Sequence, residues 1–164
     1  VWSVLEHAVN KALDLLIEMR EAEGEKLKAS LVEICKNIEN YRLRIKEREP
    51  LVVAEYKEKL SGRIQELMTN DVVDQSRLAM EVAIFADKCS INEELVRLKS
   101  HIDQFLEIMN TEGPTGRKLD FLLQEMNREV NTIGAKANDL DITKNVIELK
   151  SEIEKIREQV QNVE

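Results

Sequence analysis

The sequence is short of the residues that make strands and tight turns. Aromatics are 4% of its 164 residues, with five Gly and two Pro, a composition that argues against a turn-rich sandwich or barrel and for long helices. No apolar run is long enough to span a bilayer, and no signal peptide opens the chain, so we expect a cytoplasmic protein with no membrane contact. Cysteine appears twice, at Cys35 and Cys89, without zinc-ligand spacing. Both lie inside helical patterns and read as small buried hydrophobes in a reducing compartment. Positive charge is also scarce: 24 Lys and Arg against 32 Asp and Glu give a net charge of −8 and a pI near 5.0. That balance excludes a protein that coats nucleic acid through a global basic field, though not one with a local basic site. An initiator Met is missing as well. The chain opens on Val1-Trp2, which leads us to expect a piece of a longer protein.

What the chain does have is charge, 34% of its residues, interleaved with apolar positions at alternating steps of three and four. Leu27, Leu31, Ile34, Ile38, Tyr41 and Ile45 form one such run. Ile91, Leu95, Leu98, Ile102, Phe105 and Met109 form a second; Val146, Leu149, Ile153, Ile156, Val160 and Val163 form a third. This is the seam spacing of packed or coiled helices. The spacing predicts helices near 2–48, 51–69, 74–88, 91–110, 115–137 and 142–163. They imply an all-α fold, long antiparallel helices in a hairpin or bundle with coiled-coil-like seams. Pro50 is expected to end the first helix and begin the next. Asp74 is a candidate cap, "SINE" at Ser90 to Glu93 a capping box, and Asn138 and Asp141 a stop and a start. "NTEGPTG", Asn110 to Gly116, is the clear loop. Gly24, Gly62 and Gly134 interrupt helical patterns, where another backbone is expected to approach closely. We divide the chain into a long helix at 1–48 that closes a truncated amino-terminal domain, a helical arm at 49–77, and a carboxy-terminal helical domain at 78–164. The first helix is too long for a compact bundle to cover, so the missing part of the chain or another subunit is expected on its seam.

One stretch draws functional interest. In "LDFLLQEMNREVNTIGAK" the apolar stripe Leu119, Leu123, Met126, Val130, Ile133 is backed by Gln124, Arg128 and Asn131 and flanked by Glu125, Glu129, Thr132 and Lys136. A solvated face in so charged a chain would be mostly Glu and Lys. Arg beside carboxamides and a hydroxyl is instead the mixture that contacts phosphate and sugar. Acid pairs one turn apart, Glu125 with Glu129, Glu148 with Glu152 and Glu154 with Glu158, repel mildly unless a cation such as Mg²⁺ or Mn²⁺ lies between them. So many acids produce such pairs by chance, and a solvated face explains each one alone. Arg117, Lys118, Arg128, Lys136, Lys144, Lys150, Lys155 and Arg157 make the last two helices locally basic. His101 shares a helix edge with Glu94, and Arg97 sits between them; a flank histidine making one hydrogen bond is the plain reading, a proton carrier the functional one.

"GRKLDFLLQEMNREVNTIGAKANDLDI", Gly116 to Ile142, and "IELKSEIEKIREQVQNVE", Ile147 to Glu164, closely resemble the carboxy-terminal region of the YicC-like family of bacterial endoribonucleases. "EVAIFADKCSINEELVRLKSHIDQF", Glu81 to Phe105, resembles the segment before it, and "REAEG", Arg20 to Gly24, a shorter motif closing the family's preceding domain. Ser90 stands where the family commonly has Asp, and Ala135 where it commonly has Ser. The resemblance implies an endoribonuclease acting on single-stranded RNA with a divalent cation, Mg²⁺ or Mn²⁺, built as a homo-oligomer with helical arms. By matching motif, it implies catalytic roles for Glu125, Arg128, Glu129 and Lys136, with His101 as an optional proton carrier. Metal ligation falls to Glu125 and Glu129 with Glu158. RNA contact falls to Arg117, Lys118, Arg128, Asn131, Lys136, Lys150 and Arg157, and Glu154 joins Arg157 and Glu158 in "EKIREQ". Hydrolysis by a metal-bound water and internal attack by the 2′-hydroxyl both remain open. The alternative from a different class is a helical scaffold or adaptor that binds a protein partner and catalyses nothing.

Overall fold

The computed structural model describes residues 2–67, 74–111 and 113–161, and every regular element among them is helical. In chain order these are α1 (Trp2–Leu67), α2 (Gln75–Cys89), α3 (Asn92–Ile108), α4 (Gly116–Lys136) and α5 (Leu140–Val160). The expected all-α architecture with long antiparallel helices is what the chain adopts.

Side-chain pairs fix the packing directions. Ser30 meets Gln159, Asn37 meets Glu152 and Arg48 meets Asp139, so α1 and α5 run antiparallel. Glu94 meets Lys136 and Arg97 meets Glu129, so α3 and α4 do too. Helix α1 also packs on α3, and α4 on α5, which closes a ring of four helices. The seam residues named from the sequence fill its centre: Ile38, Ile45, Leu98, Phe105, Met126, Ile133, Leu149 and Ile153 are completely enclosed. Leu122 is buried as well, making the α4 stripe wider than its three-four repeat. Met109, Tyr41 and Ala137 are half-buried at the rim; Val163 lies outside the described residues. Helix α2 packs on the far part of α1, where the rings of Tyr56 and Phe85 stack 3.7 Å apart.

The proline does not end the first helix. Pro50 sits inside one continuous helix of 66 residues, about 100 Å long at 1.5 Å per residue. An interior proline costs roughly 3 kcal/mol by removing a hydrogen bond and crowding the previous turn, and tertiary contacts on both sides of it offset that cost. Ile45 and Val52 are both buried in the core. Glu49 accepts a hydrogen bond from the Ile91 amide at 3.0 Å. Arg48 reaches across the proline to hold both oxygens of Glu55, at 2.6 and 2.8 Å, and binds Asp139 at 2.7 Å.

Other boundaries were shifted by similar local chemistry. Asp74 caps α2 as expected, accepting from the Ser76 and Arg77 amides. The capping box at Ser90 does not form: Ser90 ends α2, and α3 starts one residue later, after Ile91, whose amide is taken by Glu49. Asp139, not Asp141, caps α5, accepting from the Asp141 and Ile142 amides at 3.0 Å each. Of Gly24, Gly62 and Gly134, only Gly134 is crowded, and by a side chain: a Cβ there would lie 3.1 Å from Val146 Cγ1, whereas Gly24 and Gly62 face open space. Gly113, at φ +96°, supplies the left-handed residue of the α3–α4 loop.

Candidate functional site

The seam between α3 and α4 is apolar at its centre and ionic along one edge. On α3 the steps of three and four from Glu94 to Arg97 to His101 keep these residues on one side of the helix. On α4 the same logic aligns Glu125, Glu129 and Lys136. Antiparallel packing then brings the two rows together. Arg97 donates from Nε to Glu129 Oε1 at 2.9 Å and from Nη2 to Glu94 Oε1 at 3.3 Å. Its Nη1 reaches Glu93 at 3.4 Å. Lys136 Nζ donates to the same Glu94 Oε1 at 2.9 Å and to the Ser90 carbonyl at 3.0 Å. The Ser90 carbonyl is available because α2 ends there, with Ser90 in an extended conformation.

Charge and burial are layered. Glu94 and Glu129 lie beneath the surface, with side chains 5% and 7% exposed; Arg97 and Lys136 above them are 47% and 37% exposed. Burial pushes the Glu94 carboxyl up, but the Lys136 ammonium and the Arg97 charge more than reverse this and hold it below the ordinary carboxylate range. Two polar atoms of the α3 row, Glu94 Oε2 and His101 Nδ1, are buried and accept or donate no hydrogen bond. Gln159 Oε1 on α5 shares this condition, and leaving such a group unpaired costs about 1–3 kcal/mol.

The remaining sequence-nominated residues are dispersed. Arg128, 76% exposed, lies 4.0 Å from a half-buried Glu125 on its own helix. Asn131 is exposed beside it; Gln124 bonds to Asp120, and the Thr132 hydroxyl to the Arg128 carbonyl, which accounts locally for part of the mixed face. Arg117 and Lys118 open α4, about 28 Å along the helix from Lys136. On α5, Lys150, Glu158 and Arg157 are exposed, and Arg157 pairs with Glu154 at 3.8 Å. Among the described residues no three His, Cys, Asp or Glu side chains are grouped to hold a metal ion. Of the acids nominated as ligands, Glu129 already binds Arg97. Sequence reasoning noted Arg97 and Glu94 on an edge with His101 but gave them no role. Their signal was present in that polar three-four row beside the apolar seam of Leu95, Leu98 and Ile102; what it lacked was the identity of the facing helix.

The profile of the family described as "Endoribonuclease YicC-like, C-terminal" matches residues 45–164. The chain is 51% identical over 165 residues to the "Probable endoribonuclease YicC" of Clostridioides difficile (strain 630), covering 100% of this chain and 56% of that protein. It is 36% identical over 157 residues to the protein of the same name from Haemophilus influenzae (strain ATCC 51907 / DSM 11121 / KW20 / Rd), covering 96% of this chain and 54% of that one. The chain spans about half the length of the curated relatives it matches. Similarity therefore extends upstream of Leu78, through the arm at 49–77 and into the long helix before it.

Proposed function

Because this chain belongs to the YicC-like endoribonuclease family, through that family's carboxy-terminal region, we propose that it forms part of an endoribonuclease that cleaves single-stranded RNA. The cutting face is the ionic edge of the α3–α4 seam. The observation that carries this reading is the pair of buried, partnerless atoms there, Glu94 Oε2 and His101 Nδ1, since an unpaired buried polar group calls for an explanation and a catalytic role is one. His101 exchanges the proton with the reacting oxygen. Lys136, with Arg128 exposed one helical face away, offsets charge developing on the phosphate. The protein acts in the cytoplasm; among the described residues no helix is long and apolar enough to cross a membrane.

A divalent cation belongs to the same proposal by family, but Glu125, Glu129 and Glu158 of one chain do not fit as its cage. Glu129 is neutralised by Arg97 at 2.9 Å, and the three acids are not gathered in one place. Self-association is also proposed, supported by the exposed apolar side chains of Val9, Leu13, Leu16 and Ile17 on the amino-terminal part of α1.

The test is gel-based cleavage of a generic single-stranded RNA by the full-length gene product, with and without chelator. Cleavage that falls strongly in Lys136→Ala and His101→Gln supports the reading. No cleavage by the folded wild type under either condition refutes it and leaves the scaffold. Cleavage abolished by chelator yet intact in Glu125→Gln places the metal ligands elsewhere.

A further inference from the structure

The geometry points to a phosphodiester clamp formed by Arg97 and Lys136, with Glu94 as the residue that positions both; this rests on the RNA-cleaving reading above. A single oxygen, Glu94 Oε1, accepts from Lys136 Nζ at 2.9 Å and from Arg97 Nη2 at 3.3 Å, so those two nitrogens are no more than about 6 Å apart. Two non-bridging phosphate oxygens, each accepting a charge-assisted hydrogen bond at about 2.8 Å, span such a gap. Donors are available for it. A lysine ammonium has three N–H groups and an arginine guanidinium five; the hydrogen bonds described occupy two of Lys136 and three of Arg97.

Local charge at first opposes this. Arg97 and Lys136 are outnumbered by Glu93, Glu94 and Glu129, so the cluster offers an anion no net attraction. Layering decides the matter, because Glu94 and Glu129 are 5% and 7% exposed and the cations 47% and 37%. A phosphate arriving from solvent meets the cations before these two carboxylates; of the acids on Arg97 only Glu93, 83% exposed and held at 3.4 Å, lies at the surface. The buried acids fix two long, flexible side chains in advance, so their ordering is already complete when the phosphate arrives.

Simple electrostatics and positioning make opposite predictions for Glu94. Removing a negative charge beside an anion site strengthens binding; removing the anchor of both cations weakens it. The exposed neighbour Glu93, with 83% side-chain exposure and one 3.4 Å contact to Arg97 Nη1, serves as the comparison: it carries the same charge but touches only one of the two cations.

The experiment measures binding of a fluorescein-labelled oligouridine to the full-length gene product by anisotropy across a KCl series, with circular dichroism on the same samples. Arg97→Gln and Lys136→Gln are expected to weaken binding at least tenfold. Each should also lower the salt slope by about 0.7, the value for one phosphate contact on a single strand. Glu94→Gln is expected to weaken binding three- to tenfold, and Glu93→Gln to leave it unchanged or tighter. Wild-type affinity and slope in folded Arg97→Gln overturn the clamp while leaving the RNA reading intact. Binding in Glu94→Gln as tight as in Glu93→Gln overturns the positioning role. No binding of RNA by the wild type overturns the clamp and the proposed function together.

Discussion

Asp139 closes two structures with its two oxygens, and replacing it separates their contributions. Oδ1 caps α5 by accepting from two amides, and Oδ2 binds Arg48 at 2.7 Å across the α1–α5 seam. Asn is as good an N-cap as Asp, while Ala is none, a loss worth about 1 kcal/mol and at most about 2. Asp139→Asn should therefore lose only the ion pair, and Asp139→Ala should lose about 1 kcal/mol more. For a chain of this size that further loss is roughly 2–4 °C in thermal midpoint. The carboxyl also makes a pH prediction, since the Arg48 guanidinium and then the capping amides hold it below its ordinary value despite partial burial. A lowered native pKa means stabilisation that is fully present above the unfolded value, about 3.9, and is lost as pH falls through the native one. Thermal melts followed by circular dichroism at 222 nm, at pH 7 and pH 3 and constant protein concentration, test both parts. Equal midpoints for the Asn and Ala variants at pH 7 refute the capping argument. An acid-induced loss as large in Asp139→Asn as in the wild type refutes the ionic one.

Gly24→Ala and Gly62→Ala, with open space at the new Cβ, should each stabilise by about 0.5–1 kcal/mol. Gly134→Ala should gain little or lose, because its Cβ meets Val146 Cγ1 at 3.1 Å and a β-branched side chain in a helix has little rotamer freedom to yield; denaturant titrations compare the three. Cys35 is enclosed, and burial pushes its thiol up to about 12. Cys89 is only half-buried. Iodoacetamide at pH 8 should therefore label Cys89 first and Cys35 only on unfolding, a peptide-mass experiment that equal labelling of the native protein would contradict. Removing the Arg48 clasp across Pro50 with Arg48→Met should accelerate amide hydrogen exchange at residues flanking Pro50 ahead of residues near Ile38, and uniform acceleration would show that the clasp is not local.

Much of the fold was legible because three-four spacing records which face of a helix is buried, and nearly every seam residue from Leu31 to Val160 sits where that spacing puts it. The misread points are those where tertiary partners overruled a local rule. Pro50 is a helix breaker in isolation, and the buried Ile45 and Val52, the Arg48 pairs with Glu55 and Asp139 and the Glu49–Ile91 hydrogen bond keep the helix intact through it. Ser90 has the sequence of a cap, but Glu49, distant in the chain, takes the amide that sets where α3 begins. The site was half legible for the same reason. Lys136 and Glu129 stood out within α4, whereas Glu94 and Arg97 acquire meaning only once α3 is known to lie antiparallel beside it. Nothing in the spacing of Glu125 and Glu129 revealed that one acid is buried under an arginine and the other is half-exposed.

The first 25 residues of α1 stand clear of the bundle, all of them exposed up to Lys26, a projection of about 37 Å. The chain's one tryptophan, Trp2, lies in this segment and is 77% exposed. Intrinsic fluorescence is consequently blind to the core: melting of the four-helix ring leaves the indole in water before and after, so emission should hardly shift through the main transition. Any blue shift instead reports that something has covered this segment. The same spectrum, useless for following unfolding, is thus a built-in optical reporter of contact along the exposed part of α1.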